Sequence, residues 1–264
     1  MGMDRRDFLK IAALAAGLGV KPAADLVLGG FEAQAQTQPA QAVLAQAKKW
    51  AMVVDMTKLT AEDCKAAIKA CHDAHNVPDV RTADGQVDVK HEVKWLWTDK
   101  YENVFPDDYN AVIPPAMEKK DFLVLCNHCT DPPCVRVCPT QATFKRPDGI
   151  VVMDMHRCIG CRFCMAGCPF GSRSFNWSDP RPFIKKVNPE YPRRMKGVVE
   201  KCNFCDERLA KGLYPACVEA CRSGALTFGD LDTPSSPVRQ VLAKRYAIRR
   251  KPGLGTGPNV FYVI

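Results

Sequence analysis

Eight cysteines between Cys126 and Cys168 fall into two groups of four. The first is spaced C-x2-C-x4-C-x3-C-P (Cys126, Cys129, Cys134, Cys138), the second C-x2-C-x2-C-x3-C-P (Cys158, Cys161, Cys164, Cys168). The second spacing is that of a bacterial [4Fe-4S] ferredoxin, in which three thiolates on one tight loop bind one cubane and the fourth ligates its neighbour. The expected chemistry is one-electron transfer through two clusters. Cys126, Cys129, Cys134 and Cys168 would hold the first, and Cys158, Cys161, Cys164 and Cys138 the second. Pro139 and Pro169 suit an abrupt turn beside each cluster, because proline fixes φ and lacks an N–H. Zinc is the competing metal, but its sites usually join two separated CxxC pairs. Two such compact groups, each closed by proline, are crowded for that.

Short elements must position these loops. TFKR and IVVMD, separated by Asp148-Gly149, read as a hairpin between the two groups. A further group, C-x2-C-x11-C-x3-C (Cys202, Cys205, Cys217, Cys221), stretches the same motif by a helical insertion. An earlier stretch repeats it in decayed form. Val53-Val54-Asp55-Met56 aligns with the run Val151 to Met155 so that Asp55-Met56 matches Asp154-Met155, Leu59 stands for Cys158 and Ala67 for Cys164. Cys64 and Cys71 keep the spacing of Cys161 and Cys168. Around these motifs, helices are expected over Gln41–Trp50, over Glu62–His75 and from Ser236-Pro237. Strands are expected over Ala51–Met56, His91–Trp97, Ser172–Trp177, Leu226–Gly229 and Asn259–Val263. Asp107–Pro115 and the Gly253 to Gly257 run read as a loop and a turn. Asp179 to Arg194, with four prolines, reads as a surface loop whose Arg181, Lys185, Lys186, Arg193 and Arg194 form a solvated face. Trp95 and Trp97 are expected to pack, and His128 to face solvent.

The chain's 264 residues suffice for one or two packed domains. Its formal charge of +8 counts the cysteines as neutral. Three clusters of about −2 each would bring it near +2, and no basic stretch interleaved with aromatics argues for nucleic acid. Residues 1–35 read as a twin-arginine signal: Arg5-Arg6-Asp7-Phe8-Leu9-Lys10, a weakly apolar run Ile11–Val20, then Ala33-Gln34-Ala35 as a cleavage site. The apolar run is too short for the ~20 residues that span a bilayer. Export of a folded, cofactor-loaded chain explains how fourteen cysteines reach an oxidising compartment without becoming a disulfide framework. No C-x-x-C-H occurs, so no c-type haem attaches here.

CNHCTDPPCVRVCP, DGIVVMDMHRCIGCRFCMAGCPFG, VVEKCNFCDERL and PACVEAC together resemble the periplasmic iron–sulfur subunits related to the electron-transfer subunits of dimethyl sulfoxide and polysulfide reductases, over about residues 50–263. Within that family the signal and the twelve cysteines in recognisable groups are most similar to the DsrO-type subunits of DsrMKJOP transmembrane complexes. The resemblance implies an α+β fold of two ferredoxin-like [4Fe-4S] modules in pseudo-twofold relation, with one cluster site degenerate. Residues 36–120 with 198–264 would form an outer module, 121–178 the central one, and 179–197 a loop. Three [4Fe-4S] clusters are expected. The third would take Cys202, Cys205 and Cys217, completed either by Cys71 in a crossed arrangement or by Cys221 locally. In the crossed arrangement Cys64 and Cys221 are left over. The implied function is non-catalytic, periplasmic electron transfer between a multihaem cytochrome c and an NrfD-type integral membrane subunit that reacts with quinone. The alternatives are a subunit of a molybdopterin-dependent reductase and a zinc-bound scaffold.

Overall fold

The computed structural model describes residues 49–107 and 114–264. The signal segment, most of the expected helix over Gln41–Trp50 and part of the expected loop over Asp107–Pro115 lie outside the described residues. Trp50 itself opens a strand.

Strands and helices are mixed, as an α+β chain requires. β1 (Trp50–Asp55) is followed by the fifteen-residue helix α1 (Ala61–His75) and by β2 (Leu96–Lys100). β3 (Asp121–Leu125) leads into the hairpin of β4 (Thr143–Lys145) and β5 (Val151–Met153). β6 (Ser174–Phe175) pairs with β7 (Val199–Glu200). β8 (Leu226–Asp230), helix α2 (Pro237–Lys244), β9 (Ala247–Ile248) and β10 (Val260–Val263) complete the chain.

The main sheet has the order β8-β1-β10-β9, with β1 parallel to β10 and antiparallel to β8. Every residue of β1 is buried, because the period of two sends alternate side chains to opposite faces. Trp50, Met52 and Val54 enter the large core that also holds Cys64, Cys71, Cys202, Cys217 and Cys221. Ala51 and Val53 pack with Val238 of α2 and Val263. The sheet thus separates a cysteine-bearing face from an apolar face without cysteine.

α1 begins with a reciprocal cap: the Asp63 N–H donates to Thr60 Oγ1 (3.1 Å) and the Thr60 N–H to Asp63 Oδ2 (3.3 Å). It ends at Asn76, held in the left-handed region (φ 52°). Its buried stripe is Cys64, Ala67, Cys71 and His75, spaced as one helical face requires.

Three expectations need correction. The strand sought at His91–Trp97 lies at Leu96–Lys100, paired in register with Asp121–Leu125, for which no strand was expected. A run whose partner sits twenty-odd residues away shows only part of its pattern locally. Arg194 does not belong to a solvated face. Its side chain is 0% exposed and pairs at 2.5 Å with an equally buried Glu200, which also accepts from Trp95 Nε1 (2.9 Å) and Asn176 Nδ2. Trp95 is fully packed and Trp97 packs against the same core. His128 is also buried rather than solvent-facing.

Candidate iron–sulfur sites

The β4–β5 hairpin holds the two central loops apart, and one-turn helices, Pro133–Arg136 and Phe163–Ala166, carry Cys134 and Cys164 inward. One cavity is lined by Cys126, Cys129, Cys134 and Cys168, together with Asn127 and Arg173. A second is lined by Cys138, Cys158, Cys161 and Cys164, with Thr143 and Met153. Each cavity therefore draws its fourth cysteine from the other motif. Gly160 is required where the second loop passes the backbone: φ is +71°, and a Cβ there would lie 2.5 Å from the Gly197 carbonyl oxygen.

Burial makes several of these thiols hard to ionise, whereas at Cys138 partial burial is outweighed by hydrogen bonds from Thr143 and Thr140, which lower it. Burial pushes Cys129 up to about 12, with Cys126, Cys134 and Cys168 adding to the effect, and it raises Cys164 and Cys168. An iron core reverses that penalty, since metal coordination deprotonates thiols outright. The residues fit such a group. Asn127 is buried in the first cavity with neither its amide nitrogen nor its oxygen partnered. Zinc fits poorly. Among the described residues, the trio of metal-ligating atoms lying within 4.8 Å of one another is His75, Cys205 and Glu207, and no cysteine quartet closes that far. Four sulfurs about 2.3 Å from a tetrahedral zinc would stand roughly 3.8 Å apart.

The third group lies in the large core. Cys202 and Cys205 flank a loop with positive φ at Phe204 and Cys205, and Cys217 sits in the helix Ala216–Ala220. Amides point at these sulfurs: the Phe204 N–H toward Cys202 (3.5 Å) and the Ala216 N–H toward Cys205 (3.4 Å). Cys71, from α1, faces this group. Burial raises its thiol far above the usual range, and Cys202, Cys205 and Cys217 are the next contributors. Cys221 faces Cys217 and also Cys64, whose thiol burial pushes up to about 11. Leu59 and Ala67 occupy the same core, 5% and 0% exposed. None of the fourteen cysteines forms a disulfide.

The groups lie close enough to act on one another electrostatically. Cys202 feels Cys126 of the first cavity, and Cys164 of the second feels Cys134 of the first. Between the first and third groups, His128 stacks on Phe204 with ring centroids 3.7 Å apart. The two residues occupy the same place in C-N-H-C and C-N-F-C, and both have positive φ. His128 Nδ1 accepts from the Val151 N–H (3.1 Å), and burial holds the ring neutral, with Lys201 and Arg173 nearby. His75 lies beside the third group. Its Nε2 meets Glu207 Oε1 (2.9 Å), and its Nδ1 lies 2.8 Å from the Cys71 carbonyl oxygen and 3.8 Å from the Cys71 sulfur. Sequence reasoning missed His75, Phe204 and Arg173. Only the matching C-N-x-C context of Phe204 and His128 offered a local signal.

A fold of short hairpins and one-turn helices around cysteine quartets defines a ferredoxin-type iron–sulfur protein of electron transport. The 4Fe-4S dicluster domain family matches residues 121–197 and 187–231. The chain is 38% identical over 98% of its length to the Hdr-like menaquinol oxidoreductase iron-sulfur subunit 1 of Archaeoglobus fulgidus, covering 97% of that protein. It is 36% identical over 81% of its length to the menaquinone reductase iron-sulfur cluster-binding subunit of Nitratidesulfovibrio vulgaris, covering 88% of it. To the arsenate respiratory reductase iron-sulfur subunit ArrB of a Shewanella species it is 38% identical over 80% of its length, covering 94% of that protein. The chain belongs to the family of ferredoxin-type iron–sulfur subunits that includes those of dimethyl sulfoxide and polysulfide reductases. Among the described residues no helix is long and apolar enough to cross a membrane.

Proposed function

We propose that the chain is a three-cluster electron wire, exported by the twin-arginine route to the periplasm, that works between a multihaem cytochrome c and an NrfD-type membrane subunit reacting with quinone. The observation that carries this reading is the pair of four-cysteine cavities, with a third cysteine group joined to the first through the His128–Phe204 stack. Bound [4Fe-4S] clusters would supply one-electron chemistry with little rearrangement. Cys126, Cys129, Cys134 and Cys168 hold the first, and Cys158, Cys161, Cys164 and Cys138 the second. Cys202, Cys205 and Cys217 hold the third with Cys71, which faces all three of them, whereas Cys221 faces Cys217 and Cys64.

The protein's own residues set the ends of the wire. Cys138, Cys158 and Cys161 are half-buried, and beside them Ile159 (67%) and Phe163 (59%) are exposed apolar side chains. This end is assigned to the membrane subunit, and the end near Cys202 and Cys217 to the haem-bearing partner. Likeness to subunits named for menaquinol and menaquinone supports the quinone link. The matching C-N-H-C and C-N-F-C loops, stacked ring on ring, support two modules related by a local twofold. Purification of the native complex tests the assignment: about twelve iron atoms in this chain, with haem c and a membrane subunit alongside. A preparation holding molybdopterin and no haem would favour the second reading, a reductase electron-transfer subunit, which the likeness to the iron-sulfur subunit of arsenate respiratory reductase supports.

A further inference from the structure

A buried cation, Arg173, stands between the two central cavities. Arg173 is 5% exposed and lines the first cavity. Its Nη1 donates to Thr143 Oγ1 (3.1 Å) and lies 3.7 Å from Met153 Sδ. Thr143 and Met153 both line the second cavity. The guanidinium therefore reaches from one site to the other. Its Nη2 is buried with no hydrogen-bond partner, and among the described residues no carboxylate forms an ion pair with it. Arg250 is also buried with one nitrogen unpartnered, but it donates to the Val104 carbonyl and lies over the Phe170 ring, and it lines neither cavity. Arg194 has Glu200, and Lys201 Nζ donates to the carbonyls of Val151 and Cys202.

A buried charge without a counter-charge costs several kcal/mol, so such a group persists where something else supplies the opposite sign. What surrounds Arg173 is sulfur: Cys134 and Cys126 of the first quartet and Cys164 of the second. We propose that Arg173 is the common counter-charge of the two central clusters and raises the reduction potential of both together. The proposal rests on the two central sites being filled as described above. Reduction adds one electron to a cluster, with no proton taken up and no bond broken. A fixed positive charge within several ångströms of both stabilises each reduced form. It also lessens the repulsion that one reduced cluster exerts on the other, so successive electrons can pass at similar potentials. The third group lies outside this effect: the cations that act on it are Lys201, on Cys202, and Arg208, on Cys217.

The test is a redox titration of the full-length, cluster-loaded protein followed by electron paramagnetic resonance, in the wild type and in Arg173→Met, Arg173→Gln and Arg173→Lys. The neutral variants are expected to weaken electron uptake at both central clusters by about tenfold or more, equivalent to about 59 mV per decade for a one-electron couple. The third cluster should stay in place, and Arg173→Lys should restore most of the shift. A shift confined to one central cluster, an equal shift in all three, or no shift overturns the proposal. If the neutral variants fail to load, iron analysis decides: loss from the two central sites alone supports the shared counter-charge, while equal loss from all three marks a purely structural residue. A wild type without the two central signals would sink the cluster assignment itself. Normal wild-type signals with unmoved variant potentials would sink only the role of Arg173.

Discussion

The central motifs and the decayed first motif show two uses of the same interior volume. In the centre, eight cysteines surround two cavities lined by four sulfurs each. At the first motif Leu59 and Ala67, which the proposed repeat sets at two ligand positions, are buried in one hydrophobic core with Cys64 and Cys221. Helix α1 survives intact, with its cap and its buried stripe. On the proposed three-cluster reading, a cluster site is lost without loss of the scaffold because the side chains at its ligand positions are apolar and packed. Filling the volume keeps the close packing on which the neighbouring sheet depends.

The largest expected effect breaks this comparison at its strongest point. Cys164→Ser should remove one of the three clusters, lowering iron from about twelve to about eight atoms per chain. Cys64→Ser, in the filled site, should leave iron unchanged; a drop there would mean that the first motif still binds metal. Next comes the boundary between the two regions. Cys71→Ser should lower occupancy of the third cluster, read from its paramagnetic signal after reduction, and Cys221→Ser should leave it largely intact. The reverse pattern would show that the last group closes on itself. Leu59→Ala, in the packed site, should cost about 2–5 kcal/mol by denaturant unfolding, with all cluster signals retained. A negligible cost would show that the site is loosely filled.

The smallest effect concerns the start of α1. Hydrogen bonding from Ser223, then from Thr60, lowers the Asp63 carboxyl from 3.8 to about 2 despite its burial. A depressed carboxyl stabilises the fold above its unfolded pKa, and that contribution fades as pH falls from about 4 toward 2. Urea unfolding between pH 5 and 3 should show a shallower acid slope in Asp63→Asn than in the wild type. Equal slopes would place the acid sensitivity elsewhere.

Much of the site was legible because cysteine spacing is a local signal: the loops around Cys126 and Cys158 and the hairpin at Asp148-Gly149 lie where spacing and turn chemistry put them. α1 was legible from its periodicity. What sequence did not reveal is long-range. β2 and β3 define each other only by pairing. His128 is buried because Phe204, far along the chain, stacks on it. Arg173 looks like any basic residue after a Pro-Phe-Gly turn until the hairpin brings Thr143 and Met153 to it.

The proline-rich segment between β6 and β7 has a consequence for motion. Asn76, at the end of α1, donates to the carbonyls of Asn188 (2.9 Å) and Tyr191 (2.6 Å) and accepts from the Asn188 N–H (2.6 Å). Asn188 returns a bond to the Ala74 carbonyl (2.7 Å), and Arg194 grips the carbonyls of His75 and Asn76. Local opening of a loop is governed by how many buried bonds must break together. Amides of Asn188 and of the last turn of α1 should therefore exchange slowly and with one common opening energy, while the solvent-facing amides of Lys185 and Lys186 exchange freely. A stretch composed like a disordered linker would then behave as a latch, releasing as a unit or not at all.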